Sequence, residues 1–242
     1  MKRIISCTVM WAAFLIGGGS LVAFGLFLFG GSLDFVALGT SDKSALLIDT
    51  VLSLLFFVQH SLMIRKSFRR KVTRFVPEAY YGAVYAIASG VALTVVVLFW
   101  QKTDTSLVEI NGALFWILRL FFGVAVGGFY WGVSALGYFD PFGRREITRH
   151  LRSTKPKSVP FSVRGPYRWV RHPLYFFTLV MIWTCPHLTA DRLLFNALWS
   201  IWLVVGSILE ERDLVKEFGS KYREYQSKVP MLIPFKPGTF HI

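Results

Sequence analysis

The polar residues that could do chemistry stand at the ends of long apolar runs. Arg171 and His172 come directly before one such run, and Glu210 and Glu211 come directly after the last one. An ionised carboxylate at membrane depth is costly unless it is paired or faces water, so the two glutamates suggest a functional site. The alternative is that they mark the water boundary and pair with Arg212 or with the basic loop, because charged side chains are common at a membrane edge.

The Arg171-His172-Pro173 sequence has two interpretations as well. Proline is favoured at the first position of a helix, where its missing N–H costs nothing. The motif could therefore be a helix start that carries positive charge at a membrane boundary. Taken alone, it does not distinguish a boundary from a binding site.

A second polar group, His60 and Arg65, lies near the end of an earlier apolar run. Five helical positions separate these residues by roughly 140°, so they do not share one helix face. Gln59 and Ser61 add polarity beside His60. His60 is either a buried histidine with a local hydrogen bond or a substrate contact, since polar clusters inside membranes are often functional.

The elements that must position these residues are membrane helices. The chain is 54% apolar and 17% charged, whereas soluble domains are about 45–50% apolar and about 25% charged. Because a bilayer span needs about 20 apolar residues, the sequence predicts an all-α, polytopic integral membrane protein with five to six transmembrane helices. The expected spans are Ile4 to Leu33, Ala45 to Ile64, Ala79 to Trp100, Ala113 to Leu136 and Pro173 to Ala190, with a shorter sixth from Leu193 to Leu209.

The first apolar run follows Lys2 and Arg3, as a signal peptide would. Its length of about 30 residues and its lack of a small-residue cleavage site predict a retained helix instead.

The net charge of +13 reports membrane topology rather than nucleic-acid binding. Lysines and arginines concentrate at the N-terminus and in alternate loops: 65–74, 144–171 and 212 onward. This alternation predicts six spans with both termini in the cytoplasm, and a basic surface in contact with anionic lipid. Of the 27 lysines and arginines, those that lie outside these basic segments are Lys43, Lys102, Arg119 and Arg192.

Several chemistries lack support in the sequence. Cys7 and Cys185 stand far apart, which suits neither a disulfide framework nor a zinc site. The sequence contains no phosphate-binding loop, no Gly-x-Ser-x-Gly and no His-Glu-x-x-His, so hydrolase and metalloenzyme functions are not indicated and no metal ligands are predicted. The run Gly17-Gly18-Gly19 lies in apolar sequence and suggests close helix packing.

We expect one membrane-embedded domain, with a four-helix part at 1–136 and a cofactor-binding part at 137–242 formed by a loop, a helical hairpin and a C-terminal helix. The loop Gly137 to His172 contains four prolines, so it should be irregular, with one short helix around Arg144 to Arg152. Glu210 to Lys228 predicts a charged helix that continues the last span. Its apolar face consists of Leu214, Val215, Phe218, Tyr222 and Tyr225.

Two stretches in combination resemble a known superfamily. "GPYRWVRHPLY", an apolar hairpin and "EERDLVKEFGSKYREYQSKVPMLIP" resemble the C-terminal signature of the isoprenylcysteine carboxyl methyltransferase superfamily of membrane S-adenosylmethionine enzymes. "FFVQHSLMIRKSFRR", "RFVPEAYYGAVY", "VLFWQ" and "ALGYFDPFG" resemble the bacterial methanethiol S-methyltransferases and related denitrification-associated membrane proteins. The second resemblance covers residues 50–236 and implies a bacterial inner-membrane location.

The resemblance implies a cytosolic pocket for S-adenosylmethionine in the C-terminal half. Glu210 would meet the charged end of the cofactor, since a carboxylate can pair with its ammonium group or lie near its sulfonium. Aromatic faces also suit a cation. The cofactor-binding residues that the resemblance implies are Val159, Pro160, Phe161, Ser162, Tyr167, His172, Pro173, Leu174, Tyr175 and Glu210.

Two positions depart from the superfamily pattern. Phe177 stands where a glycine is frequent, so the helix packing should differ there. Gly206 stands where the isoprenylcysteine enzymes have an arginine that binds the substrate carboxylate, one turn before the matching glutamate. The absent arginine favours a small neutral thiol as the methyl acceptor.

The expected reaction is methyl transfer from S-adenosylmethionine to a small thiol, most directly methanethiol, to give dimethyl sulfide and S-adenosylhomocysteine. Nearby positive charge should lower the pKa of the thiol, because the thiolate is the nucleophile. His60, Arg65 and Arg171 are candidates for that role, and Glu211 would support the neighbouring network. The alternatives are an isoprenylcysteine or lipid methyltransferase, a sterol-type NADPH reductase, and a non-enzymatic membrane protein. The oligomeric state is left open.

Overall fold

The computed structural model describes residues 2–137, 140–154 and 161–234. A π-helical segment, Ala13–Gly18, joins the first two helices, and 3-10 turns lie at Glu78–Tyr80 and Gly165–Arg168. The strands are β1 (Ser106–Glu109) and β2 (His187–Thr189). The helices are α1 (Lys2–Ala12), α2 (Gly19–Gly30), α3 (Asp42–Ile64), α4 (Lys66–Val72), α5 (Tyr81–Phe99), α6 (Gly112–Ala135), α7 (Arg144–Leu151), α8 (Pro173–Trp183), α9 (Ala190–Phe218) and α10 (Ser220–Lys228).

Long apolar helices dominate this fold. Over the described ranges, the helices long and apolar enough to cross a membrane are Lys2–Gly30, Asp42–Ile64, Glu78–Phe99, Gly112–Ala135 and Ala190–Phe218. On α6, Trp116, Leu120 and Val124 follow each other at intervals of four and expose 71%, 67% and 60% of their surface. Such an apolar stripe needs a nonpolar solvent. The prediction of an all-α, multi-pass membrane protein is confirmed.

The predicted span Pro173 to Ala190 is wrong in its length. α8 ends at Trp183, because Pro186 disfavours helical geometry at the residue before it and cannot donate a backbone hydrogen bond. The chain becomes extended instead and forms β2, which pairs antiparallel with β1. The sixth run, expected to be short, belongs to the 29-residue helix α9.

The chain divides into two compact units. The first contains α1–α5 and α7, and the second contains α6, α8–α10 and both strands. In this division α6 is grouped with the C-terminal elements and α7 with the N-terminal ones, and the expected functional boundary after residue 136 stays a prediction.

In the first unit, glycines bring α5 close to the π-helical segment. A Cβ atom at Gly90 would lie 2.9 Å from the carbonyl oxygen of Ile16 and 3.0 Å from the Cα of Gly17. One at Gly17 would lie 3.1 Å from the ring of Phe142. The packing role expected for the glycine run is therefore confirmed at Gly17. The predicted short helix in the long loop is also confirmed, as α7.

In the second unit, α8 packs antiparallel along α6. A Cβ atom at Gly132 would lie 2.7 Å from Leu174, and one at Gly128 would lie 2.2 Å from the ring of Phe177. The four-residue spacing of these glycines lets two large α8 side chains settle against the α6 backbone, as in small-x-x-x-small helix contacts. Phe177 therefore packs directly against the α6 backbone at Gly128, and a difference from the superfamily's helix packing stays a prediction.

Candidate active site

The turn before α8 is fixed by a glycine wedged against α6. Gly165 has a φ of +53°, a conformation that residues with a Cβ rarely adopt. A Cβ there would also lie 3.0 Å from the Cβ of Ala135 and 3.1 Å from the indole nitrogen of Trp131. A 3-10 turn follows, and Pro173 is the first residue of α8. The expected helix start at Pro173 is confirmed.

Behind this turn, Arg171 and Glu211 form a buried ion pair. The Nε of Arg171 donates to the Oε1 of Glu211 at 2.5 Å, and its Nη2 donates to Oε2 at 3.0 Å. The two side chains are only 9% and 11% exposed. Two parallel hydrogen bonds of this kind are among the strongest that side chains make.

The same network fastens the end of the chain to the turn. The Nη1 of Arg171 donates to the carbonyls of Gln226 and Val229. The backbone N–H groups of Arg171 and His172 donate to the carbonyls of Pro230 and Met231, at 2.9 Å and 3.1 Å. The Nε2 of Gln226 donates to Glu211 at 2.8 Å, and the Nε2 of His172 lies 3.2 Å from the Oε1 of the same carboxylate. We call Arg171, His172, Glu211 and Gln226 the buried network.

Glu210 lies on the other side of His172. Its Oε2 accepts a hydrogen bond of 2.9 Å from the hydroxyl of Tyr175 and lies 3.7 Å from the Nδ1 of His172. The rings of His172 and Tyr175 stack at 5.5 Å. The Glu210 side chain remains 47% exposed, so this carboxylate still has surface available to a ligand.

The helix predicted over Glu210 to Lys228 is interrupted at Gly219, and the prediction of one continuous helix is wrong. Gly219 has a φ of +60° and a ψ of −128°, which only glycine adopts readily, so α10 leaves the axis of α9. The predicted apolar face of the two helices packs as expected. Its residues surround Phe161, Val163 and Tyr167 in one cluster, and the hydroxyl of Tyr225 donates to the carbonyl of Tyr167 at 2.5 Å.

These elements enclose a cavity of about 460 Å³, which is within the size range of small-molecule sites. Of the predicted cofactor-binding residues, Val159 and Pro160 lie outside the described residues. The other eight, Phe161, Ser162, Tyr167, His172, Pro173, Leu174, Tyr175 and Glu210, all line the cavity. Arg171 also lines it, although its donors are used by the buried network.

Sequence reasoning missed some of the lining. Leu214, Phe218, Tyr222 and Tyr225 were recognised as one apolar face, but they were assigned to helix packing alone. The remaining missed residues are Ala135 and Leu136 at the end of α6, and Val163 and Arg164 before the turn. The basic character of Arg164 was the available signal, but it was counted as topological charge.

Three tyrosines around the cavity, Tyr167, Tyr222 and Tyr225, have raised pKa values. Burial raises the pKa of Tyr167 above its ordinary value, and the negative charge of Glu210 adds to that rise. Burial also raises the pKa of Tyr222 and Tyr225. The hydroxyl of Tyr222 is buried and makes no hydrogen bond of good geometry within the described part of the chain, although the guanidinium of Arg171 is close enough to lower its pKa. An unsatisfied buried hydroxyl is costly, so it is available to a bound ligand.

His60 and Arg65 belong to the first unit. The hydroxyl of Tyr85 on α5 lies 2.9 Å from the Nε2 of His60, and His60 is partly buried. Arg65 has an extended backbone conformation and joins α3 to α4. A catalytic role for either residue stays a prediction.

Comparison with known proteins decides the family. The family model described as NnrU protein matches residues 48–236. The chain belongs to the NnrU family. It is 37% identical over 197 residues to the methanethiol S-methyltransferase of Pseudomonas deceptionensis, which covers 81% of this chain and 75% of that protein. No solved structure matches the chain significantly.

Two further relatives are similar to this chain. The methanethiol S-methyltransferase of Mycobacterium tuberculosis is 32% identical over 251 residues, covering 97% of this chain and 98% of that protein. Nurim of Rattus norvegicus is 28% identical over 182 residues, covering 69% and 66%. The resemblance to methanethiol S-methyltransferases that the sequence predicted is confirmed.

Proposed function

We propose that this chain is a membrane methyltransferase that transfers the methyl group of S-adenosylmethionine to methanethiol or a similarly small thiol, at the cavity of the second unit. The observation that carries the proposal is that all eight described residues predicted to bind the cofactor line one cavity. The names of the curated relatives supply the reaction class and the acceptor.

The residues of the cavity fit the cofactor. Glu210 offers a half-exposed carboxylate for the ammonium or sulfonium charge. Phe161, Tyr167 and Phe218 offer aromatic surface for an adenine ring or a cation. The unpartnered hydroxyl of Tyr222 offers a hydrogen bond that the protein itself leaves unmade.

When bound, S-adenosylmethionine supplies a methyl group on a positively charged sulfonium. The proposed reaction forms a bond between this methyl group and the sulfur of the thiol, and it releases S-adenosylhomocysteine and the thiol proton. The part of the protein is to align the two sulfur atoms and to exclude water. The apolar residues Ala135, Leu136 and Leu174 suit the uncharged acceptor at their end of the cavity.

A small acceptor agrees with the departures at Gly206 and Phe177. Gly206 provides no side chain to bind a substrate carboxylate. Phe177 fills the space beside Gly128, one turn beyond Leu174, and so occupies part of the space between α6 and α8 that a long alkyl chain would need. Both features weigh against an isoprenylcysteine or lipid acceptor.

The positive-inside pattern supports a cavity on the cytoplasmic side of a bacterial inner membrane, where S-adenosylmethionine is made. Both termini would lie on that side, and the basic loops would contact anionic lipid.

The test uses the full-length protein purified in detergent, with S-adenosylmethionine carrying an isotopically labelled methyl group. We expect labelled dimethyl sulfide in the headspace when methanethiol is added. Farnesylcysteine as the only methylated acceptor would contradict the proposed substrate. Failure to bind S-adenosylmethionine, with binding of NADPH in its place, would support the reductase alternative. Binding of neither would favour a non-enzymatic role.

A further inference from the structure

The cavity contains a cation that sequence reasoning did not assign. The positively charged or ionisable basic groups that line it are Arg164, Arg171 and His172. Arg171 uses its Nε, Nη1 and Nη2 for Glu211 and two backbone carbonyls. His172 lies between Glu211 and Glu210.

Arg164 differs from these two residues. Among the described residues the structure gives its guanidinium no ion pair and no side-chain hydrogen bond, and the residue is exposed. Of the cations that line the cavity within the described ranges, Arg164 is therefore the one available to an anion from outside.

The backbone of Arg164 is held on both sides. Val163 is 2% exposed and packs with Tyr222, Tyr225 and Val229. Gly165 is wedged against α6, and the carbonyl of Arg164 accepts a hydrogen bond of 3.1 Å from the N–H of Tyr167. The guanidinium consequently extends from a fixed point at the cavity wall, so less conformational entropy is lost when it binds a ligand.

The charges of the cavity match those of an amino acid. Glu210 supplies a carboxylate and Arg164 a guanidinium, both with surface still accessible. A methionyl group carries one ammonium and one carboxylate, and guanidinium pairs with carboxylate through two parallel hydrogen bonds. We infer that Arg164 binds the carboxylate of the methionyl moiety of S-adenosylmethionine, while Glu210 meets its positive charge. This inference rests on the proposed function.

The test compares two ligands that differ only in the carboxylate: S-adenosylhomocysteine and S-adenosyl-3-thiopropylamine. Their dissociation constants are measured by calorimetry on full-length protein in nanodiscs. Arg164→Gln should weaken S-adenosylhomocysteine about tenfold, the effect expected for one hydrogen bond to a charged group. It should change the binding of S-adenosyl-3-thiopropylamine less than twofold. Arg164→Lys should recover part of the loss.

Arg168→Gln is the matched control, because Arg168 is an exposed arginine of the same segment that does not line the cavity. It should leave both dissociation constants unchanged. An equal loss for the two ligands in Arg164→Gln, or no loss for either, would overturn the inference and leave the proposed function intact. A wild-type protein that binds neither ligand would overturn the proposed function, and the inference with it.

Discussion

The cavity and the buried network are neighbours, but the adjacent carboxylates Glu210 and Glu211 lie in different environments. Glu211 is 11% exposed and accepts hydrogen bonds from Arg171 and Gln226, with His172 also in contact. Glu210 is 47% exposed and bonded to Tyr175. The sequence alone assigned both glutamates to one site. In the structure, Glu211 belongs to the network that holds the C-terminal segment in place, whereas Glu210 keeps exposed surface that a ligand could reach.

The largest effect is expected from replacing Arg171, the partner of Glu211 in the buried network. Arg171→Met leaves Glu211 buried without its guanidinium, and removing one partner of a buried pair typically costs about 3–5 kcal/mol. We expect a large fall in the thermal unfolding temperature of the protein in detergent, with loss of ligand binding as a consequence. Arg168→Met is the control and should unfold as the wild type does. A stable Arg171→Met protein that only fails in methyl transfer would return Arg171 to the catalytic role first expected of it.

Glu210→Gln tests the carboxylate that lines the cavity. It removes a charge that the fold does not need, so the unfolding temperature should stay within about a degree or two of wild type, as for most exposed substitutions. The affinity for S-adenosylmethionine should fall by about ten- to a hundredfold, as expected for a lost charge-assisted contact. Glu224→Gln, at an exposed glutamate paired with Lys228, should change neither quantity.

The same variant locates the charge that Glu210 meets. S-adenosylhomocysteine lacks the sulfonium but keeps the ammonium. Equal losses of affinity for both ligands indicate contact with the ammonium, whereas a larger loss for S-adenosylmethionine indicates the sulfonium. An unfolding temperature that drops as far as in Arg171→Met would erase the distinction between the two glutamates.

Two tyrosines allow a finer comparison. Tyr225→Phe removes a hydrogen bond to the carbonyl of Tyr167 and should cost about 1 kcal/mol of unfolding free energy. Tyr222→Phe removes a hydroxyl with no partner in the described segments, so it should leave the stability equal or slightly higher while weakening S-adenosylhomocysteine binding. Chemical denaturation and calorimetry on both variants measure the two effects. Equal destabilisation by both would mean that the Tyr222 hydroxyl is already satisfied.

Alkaline pH should act through the same tyrosines. Burial raises the pKa of Tyr222 and Tyr225 in the folded protein above the ordinary value of about 10. The unfolded state then loses protons first, so the unfolding free energy should fall as pH rises above about 10. Denaturation midpoints between pH 8 and pH 11 measure the slope, which should be shallower in the Tyr225→Phe variant. A midpoint independent of pH in that range would contradict the burial of these hydroxyls.

The smallest effect is expected at Gly206, one turn before Glu210. A Cβ there would meet nothing within 4 Å, and alanine favours a helix interior over glycine by up to about 1 kcal/mol. Gly206→Ala should therefore be neutral or slightly stabilising, with the rate of dimethyl sulfide formation within twofold of wild type. A large loss of rate would show that the acceptor site extends to this position.

Much of the cavity could be predicted because its residues form local patterns. The motif around His172 and Pro173 and the pair Glu210-Glu211 lie at the ends of apolar runs, and helix periodicity aligned Tyr222 and Tyr225 with Leu214. Arg164 could not be selected in this way. It is one of many cations in a basic loop, and its importance depends on which of those cations already have partners.

The sequence by itself determined the membrane helices, their number within narrow limits, the family and about half of the cavity lining, because hydropathy, charge alternation and short motifs are local properties. Only the tertiary structure decided that α8 ends early and that Gly219 redirects α10. It also decided that Glu211 is buried and hydrogen-bonded within the network, while Glu210 stays about half exposed. Those outcomes depend on a proline, a glycine with positive φ and the pairing of Arg171 with Glu211, whose effects appear only when distant segments of the chain are packed together.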